Sequence, residues 1–412
     1  MEFVLAILTE MGRVMVENLT SPSFLLIYLV LFALVAFQYR RLQNMSEDLI
    51  PGGRNIYLRA ALVSCLLGIL GGVLGSILLV FLGVDLAGIG ITQLWLVAIV
   101  LMLIKPRFLC FAYAGGLLSI SSLLFGYPAI NIPQLIGLVA ALHMVESLLI
   151  LLNGANSPFP VYVLKNGALR GGFNLQRFWP IPLVALINAN FSDTSGGIIT
   201  PAWWPILHSY SQFTPDQTYA LLPILAILGY GEICTTKPPR QAVTQSSLHL
   251  FLFSLALMLL AVLSARWAAF LPLAAVFSPL GHELVIWIGM RAENRPSIYT
   301  APAQGVMILD VLPGSQAARA GLKSHDIIVS MDGEPVNSHA SLQESWGKIR
   351  GERDLLVHRD DRTITVRAAS GAHRELGIVP VPDSQTDRYY SISEDNIFMA
   401  VSRLWRRIKP KG

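Results

Sequence analysis

Charged residues are scarce in this chain of 412 residues, in which Asp, Glu, Lys and Arg together make up 14%. An ordinary soluble domain carries about one quarter. The shortage is uneven, because residues 22–290 contain long apolar runs whereas residues 291–412 have the composition of a soluble protein. Ala60–Val84 holds no charged residue, and a membrane helix needs roughly 20 mostly apolar residues. These features exclude a wholly soluble protein.

Cysteine is also scarce. The chain has three, Cys65, Cys110 and Cys234, and no pair has the spacing of a redox or zinc motif. We therefore expect no disulfide framework, no metal site and no cofactor. The formal net charge is only +4, and the basic residues lie in short loops and in the tail. Their placement indicates membrane topology and gives no indication of nucleic-acid binding.

A cleavable signal sequence is missing from the N-terminus. Met1–Leu19 has no basic segment ahead of its apolar residues and carries Glu2, Glu10, Arg13 and Glu17. We interpret residues 1–21 as an amphipathic helix that lies in the outer membrane interface rather than as a first crossing.

Nine apolar segments are candidate membrane spans. The sixth is short and contains Pro180 and Pro182, so it could be re-entrant instead of spanning. The nine are Pro22–Gln38, Ala60–Val84, Leu86–Ile104, Phe108–Gly126, Gln134–Leu152, Phe178–Asn190, Gln217–Gly231, Leu248–Ser264 and Trp267–Gly289.

Basic residues of the loops orient these spans. If the first span runs from outside to inside, Arg13 and Arg266 are the basic residues left outside. Because Lys and Arg resist translocation, this asymmetry predicts a multi-pass protein whose C-terminal domain is cytoplasmic. The basic residues on the inner side would be Arg40, Arg41, Arg54, Arg59, Lys105, Arg107, Lys165, Arg170, Arg177, Lys237, Arg240, Arg291 and Arg295.

Two pairs of ionisable residues fall inside the predicted spans. His143 and Glu146 stand three residues apart and share a helix face. They indicate either a proton or substrate path or a polar contact that fixes helix packing, and we favour packing.

His282-Glu283 lies in the last span and resembles the start of the HExxH motif of site-2 metalloproteases. Ile286 stands where the second histidine is required and cannot ligate zinc.

Residues 305–336, GVMILDVLPGSQAARAGLKSHDIIVSMDGEPV, resemble a PDZ domain. The pattern predicts a strand at Val306–Val311, a short helix at Gln316–Ala320 and a tight turn at Asp332-Gly333. Ser338 would cap a second helix that runs to about Lys348, followed by two more strands.

PDZ domains bind an extended peptide at a sheet edge beside the second helix. The resemblance implies a groove walled by Leu342 and Trp346, with the carboxylate-capturing loop near Ile298 and Tyr299. No GLGF-like sequence stands at those two residues. Binding of an internal peptide segment, or docking on the protein's own membrane region, therefore stays open.

The loop around Asn166-Gly167, in the membrane region, has a sequence that predicts a β-hairpin or a plain loop.

The tail has a helical pattern at Ser393–Lys409, with one continuous apolar face and basic residues at its end. We predict that this helix lies on anionic lipid at the inner leaflet, or docks its apolar face on protein.

The segments GALRGGFNLQRFWPIP (167–182) and FSPLGHELVIWIG (277–289), followed by one PDZ domain, resemble the MinJ-like topological determinants of bacterial cell division. The resemblance implies a fold with a multi-span α-helical membrane domain (residues 22–290), a small α+β PDZ domain (295–381) and a C-terminal amphipathic helix within a basic tail (382–412). It implies a non-enzymatic scaffold in the bacterial cell membrane that bridges DivIVA-like and MinD-like proteins, with no catalytic residues. The alternatives are a site-2-like protease relative without a complete motif and a transporter with a regulatory PDZ domain.

Overall fold

The computed structural model describes most of the chain. The described residues are 2–46, 56–165, 167–188, 198, 200–207, 218–348, 351–370, 375–384 and 386. The predicted tail helix at Ser393–Lys409 lies outside these residues.

The first 292 residues form a helical membrane region. Five of the described helices are long and apolar enough to cross a membrane, which confirms the predicted helical membrane domain. Two further apolar helices, α4 and α5 in the list that follows, are shorter. The helices are α1 (Glu2–Thr20), α2 (Pro22–Ser46), α3 (Ile56–Leu82), α4 (Ile91–Ile104), α5 (Phe111–Phe125), α6 (Ile132–Asn153), α7 (Pro239–Arg266) and α8 (Leu271–Ala292).

The predicted sixth and seventh helical spans are wrong. These segments are strands β3 (Arg177–Asn188) and β4 (Tyr219–Tyr230), which form an antiparallel ribbon paired along its whole length. Pro180 and Pro182 explain why β3 is not helical, because proline lacks the backbone N–H and clashes with the preceding helical turn.

Strand β3 runs alongside α3. Gly68 and Gly72 of α3 face the carbonyl groups of Pro180 and Pro182, and a Cβ atom at either glycine would overlap those carbonyl groups. Ser76, one turn farther along α3, accepts a hydrogen bond from the Val184 amide at 2.8 Å. The absence of side chains at the two glycines therefore lets a strand lie directly on a helix.

A second sheet precedes and follows the ribbon in sequence. Strands β1 (Phe159–Lys165) and β2 (Ala168–Asn174) form the predicted hairpin, in which Lys165 pairs with Ala168. The short strand β5 (Ile233–Cys234) pairs with β2 and completes a sheet of order β1-β2-β5. This sheet connects α6 and α7 to the C-terminal domain.

The C-terminal domain contains a twisted sheet with two helices, as predicted for the PDZ-like sequence. Its strand order is β10-β9-β7-β6-β11, and β8 pairs with β7. The elements are β6 (Val306–Val311), α9 (Gln316–Arg319), β7 (Ile327–Met331), β8 (Glu334–Pro335), α10 (His339–Lys348), β9 (Gly351–Arg359), β10 (Arg362–Ser370) and β11 (Ile378–Pro380).

The N-terminal helix α1 packs against one end of the α3–β3 pair. Ile7 and Met11 are buried with Val80, Leu186 and Trp204. This contact fixes α1 at that end of the membrane region, and its predicted place in the lipid interface stays a prediction.

The close approach of α3 and β3 predicts the effect of a side chain at Gly72. We expect Gly72→Val to destabilise the membrane region by about 1–3 kcal/mol, because overpacking forces the two backbones apart. Gly289→Val in α8 is the matched control, since a Cβ atom there meets nothing within 4 Å. Thermal unfolding in detergent checks this, and equal stability of the two variants would contradict the packing.

Candidate functional site

Strand β11 is an outer strand of the PDZ-like sheet and carries the sequence Leu376-Gly377-Ile378-Val379. The Leu312 amide donates to the Gly377 carbonyl at 3.0 Å, and the Val381 amide donates to the Met307 carbonyl at 2.9 Å. These bonds attach β11 to β6 and the residues beside it. This leucine-glycine sequence is of the GLGF kind that the upstream residues lack.

The outer edge of β11, with which no described strand pairs and which we call its free edge, is built from alternate residues. Because Gly377 and Val381 bond toward β6, Ile378 and Pro380 between them turn their backbone groups away from the sheet. His339, at the start of α10, lies 2.7 Å from the Val381 carbonyl through Nε2. The edge and the helix start thus lie together, as strand addition to a PDZ domain requires.

The sequence predicts the carboxylate-binding loop before β6, near Ile298 and Tyr299. The glycine-containing strand β11 instead follows β10 in the chain and pairs back onto β6. In the sequence, Gly377 was the signal that could have located this strand. Its φ of 82°, at the turn into the strand, is a conformation that favours glycine.

The predicted groove residues Leu342 and Trp346 are buried in the core of the domain. Their side chains are 5% and 3% exposed, and they pack with Val306, Val357 and other core residues. The two stand four residues apart, so they share the helix face that covers the sheet. The prediction that these two residues form part of a groove wall stays a prediction.

Ile298 and Tyr299 lie in contacts with the membrane region, and their predicted role in a carboxylate-binding loop stays a prediction. The Tyr299 side chain is 1% exposed and lies between the rings of Phe173 and His325, at centroid distances of 5.4 and 4.6 Å. Its carbonyl accepts a hydrogen bond from the Gly171 amide, and the Ile298 amide donates to the Thr235 carbonyl, both at 3.0 Å. These residues instead attach the segment before the PDZ-like domain to β2 and β5.

The PDZ-like domain is docked on the hairpin of the membrane region. The Tyr162 hydroxyl of β1 donates to the Pro380 carbonyl at 2.7 Å. Leu309 and Val379 are fully buried in the same apolar cluster as Tyr162 and Phe173. The Pro380 carbonyl belongs to the free edge of β11, so docking occupies one acceptor of that edge.

The segment between α8 and the domain is held by polar contacts. The Glu293 carboxylate accepts hydrogen bonds from the Thr235 amide at 2.9 Å and from the Thr236 hydroxyl at 2.8 Å. The Lys165 ammonium group donates to the Thr235 hydroxyl at 2.9 Å and to the Glu293 carbonyl. These bonds connect the end of α8 to the tip of the hairpin.

Two titratable groups lie near this contact. Burial raises the pKa of Asp310 to about 6, although the Val311 amide, which donates to its carboxylate, acts in the opposite direction. Burial also lowers the pKa of His325, so this ring beside Tyr299 is neutral at pH 7.

The predicted intramembrane polar residues lie on the two helices α6 and α8, and they meet in part. His143 of α6 and His282 of α8 stand with their ring centroids 5.1 Å apart. Glu283 accepts a hydrogen bond from the Tyr113 hydroxyl at 2.6 Å and forms an ion pair with Arg107 at 3.1 Å. Glu146 is half-buried on α6.

Cys110 joins these histidines and was missed. Its Sγ lies 3.1 Å from His143 Nε2 and 3.7 Å from His282 Nε2. The three residues are 33 and 172 positions apart in sequence, so no spacing rule could group them. The one sequence signal for this site was that Cys110 is a polar residue beside two apolar runs.

The Tyr162–Pro380 hydrogen bond predicts a docking contribution that can be measured. We expect Tyr162→Phe to weaken docking by about 0.5–1.5 kcal/mol, the usual contribution of one neutral hydrogen bond. Backbone hydrogen exchange over residues 376–381 should then accelerate roughly two- to tenfold. The control is Tyr127→Phe, which changes an exposed tyrosine elsewhere. Unchanged exchange in Tyr162→Phe would contradict the docking contact.

Comparison with known proteins agrees with both parts of the chain. The PDZ domain family matches residues 283–345. Over 235 residues the chain is 26% identical to the cell division topological determinant MinJ of Bacillus subtilis, a match that covers 55% of this chain and 56% of MinJ. The periplasmic pH-dependent serine endoprotease DegQ of Escherichia coli is 50% identical over 94 residues, which cover 20% of each protein. The putative serine protease HhoA of Synechocystis is 42% identical over 83 residues, 19% of this chain and 21% of HhoA.

The protease matches span about a fifth of each protein, the length of one small domain. The MinJ match is longer than the PDZ-like domain and therefore includes part of the membrane region. The chain spans about half the length of MinJ, to which it is similar, and it carries a PDZ domain.

Proposed function

We propose that this protein is a membrane-anchored scaffold that localises partner proteins at the cytoplasmic membrane during placement of the division site. The observation that carries the proposal is the docked PDZ domain, whose β11 edge is held beside the membrane region by Tyr162 and Tyr299. A binding edge fixed in this way brings any bound partner close to the membrane. The similarity to MinJ supports cell division as the setting.

The fold supports a topology with the PDZ domain in the cytoplasm. The ribbon β3–β4 runs along α3 and returns, so its first residue, Arg177, pairs with its last, Tyr230. Arg177 and Lys237, which follows β4 in sequence, then lie on one side of the membrane. The seven helices α2–α8 then carry the chain from an outer N-terminus to an inner C-terminus. This arrangement keeps the basic loops inside, as the distribution of Lys and Arg requires.

Partner recognition would use strand addition at Ile378. Main-chain bonds to the free edge of β11 provide affinity in this mode, and neighbouring pockets provide specificity. Because Tyr162 already binds the Pro380 carbonyl, a longer partner segment has to displace the hairpin.

DivIVA-like and MinD-like proteins are the partners that the family resemblance implies. The basic tail, residues 382–412, would add contact with anionic lipid.

A catalytic role is not part of the proposal. Glu283 is engaged by Arg107 and Tyr113, so it is not a free base beside His282. MinJ itself is named as a topological determinant and not as an enzyme. His143, His282 and Glu283 contact residues of neighbouring helices, and a packing role of Glu146 stays a prediction.

Ile378→Pro is expected to abolish strand addition, because proline removes the amide that a partner carbonyl would bind. Proline is tolerated on edge strands, so the domain should still fold. The matched control is Ile378→Val, which keeps the amide. Tagged full-length chains purified from the native host should lose specific partners with Ile378→Pro and keep them with Ile378→Val. Equal recovery of partners with both variants would refute recognition at this edge.

Reporter fusions are expected to map the topology. A fusion after Gly126, between α5 and α6, should be active outside, whereas fusions after Asn156 and Gly412 should be active inside. An outside-active reporter at Gly412 would overturn the cytoplasmic placement of the PDZ domain.

A further inference from the structure

Cys110, His143 and His282 place one potential metal-ligand atom each within 4.8 Å of one another. They come from three different elements, the N-cap of α5, the middle of α6 and the second half of α8. We propose that this Cys-His-His cluster binds a zinc-type divalent transition-metal ion between the helices. Thiolate and imidazole are the ligands that such ions prefer over carbonyl and carboxylate oxygen.

The distances fit a tetrahedral ion. Zinc lies about 2.3 Å from sulfur and about 2.0–2.1 Å from imidazole nitrogen, so tetrahedral angles separate a sulfur and a nitrogen ligand by about 3.5 Å. The observed distances from Cys110 Sγ to the two Nε2 atoms are 3.1 and 3.7 Å. Small side-chain movements therefore suffice to seat an ion.

The tautomer of His143 is set for ligation. Its Nδ1 lies 2.7 Å from the Val139 carbonyl, which can only accept, so Nδ1 carries the proton. Nε2 then presents its lone pair to Cys110 Sγ. A ligating histidine commonly donates its other N–H to a carbonyl in this way, which orients the ring toward the metal.

His282 is incompletely satisfied within the protein. Its Nδ1 is buried and has no hydrogen-bond partner among the residues that the structure describes. Its Nε2 lies 3.7 Å from Cys110 Sγ, which is its contact with the cluster. An ion at the cluster would bind this ring through Nε2 and give that nitrogen a partner at bonding distance.

The surroundings favour one bound ion with an open position. The rings of Phe253 and Tyr113 pack at 5.7 and 5.2 Å from the His282 ring and form an apolar wall. The charge of Arg107 is offset by its ion pair with Glu283. Cys110 and His282 are only half-buried, which leaves a route for an ion to enter. Three protein ligands leave a fourth site for water or another ligand.

The test is cobalt and zinc binding by the full-length chain, purified in detergent with a histidine-free tag and treated with a chelator. We expect Co²⁺ to bind at one ion per chain, with a sulfur-to-cobalt charge-transfer band and strong tetrahedral bands that zinc abolishes. Cys110→Ser should remove the charge-transfer band. His143→Gln and His282→Gln should each weaken binding at least tenfold, and the control His249→Gln, another histidine of a membrane-region helix, should not.

X-ray absorption of the zinc-loaded natural sequence tests the same proposal without any substitution. One sulfur and two imidazole ligands are expected. The proposal is overturned if the natural chain binds no stoichiometric ion, if absorption shows no sulfur ligand, or if folded cluster variants bind as tightly as His249→Gln.

Discussion

The structure depends on how the backbone of β3 is satisfied inside an apolar helical region. One edge of β3 pairs with β4, and the other edge faces α3. An unpaired buried amide costs about 1–3 kcal/mol, and more in lipid. Along the α3-facing edge, the Phe178 amide donates to the Tyr39 hydroxyl at 3.0 Å and the Val184 amide donates to Ser76. Pro180 and Pro182 have no amide N–H that needs a hydrogen-bond partner. The residues that prevent a helix therefore also reduce the cost of placing this strand beside α3.

This strand explains the position of the PDZ domain. The ribbon returns the chain to the side from which it came, where β5 pairs with β2 and the hairpin forms a platform. Glu293 and Lys165 attach the end of α8 to that platform, and Tyr299 and Tyr162 attach the domain that follows. A binding module placed in this way is oriented relative to the membrane and is not suspended on a free linker.

Local patterns made most of the fold predictable. Long apolar runs gave the helices, and the strand and turn pattern at 305–336 gave the PDZ domain, including the hairpin turn at Asp332-Gly333, where both φ angles are positive. Apolar length misled at 178–190 and 217–231, because a strand within an apolar helical region can be as apolar as a membrane helix. The β11 edge proposed for partner binding was missed because β11 follows the domain's other strands in sequence. The Cys110–His143–His282 cluster was missed because tertiary packing alone assembles it.

The central claim is that the PDZ domain is docked on the β1–β2 hairpin, and a site-directed cross-link tests it most directly. A Cβ atom at Gly171 would lie 3.1 Å from the Tyr299 Cβ atom, so Gly171→Cys combined with Tyr299→Cys should form a disulfide in native membranes under mild oxidation. Gly171→Cys combined with Glu352→Cys, at an exposed residue of β9, is the control that should stay reduced. Absence of the first cross-link in folded protein, or equal yields from both pairs, would contradict the docked arrangement.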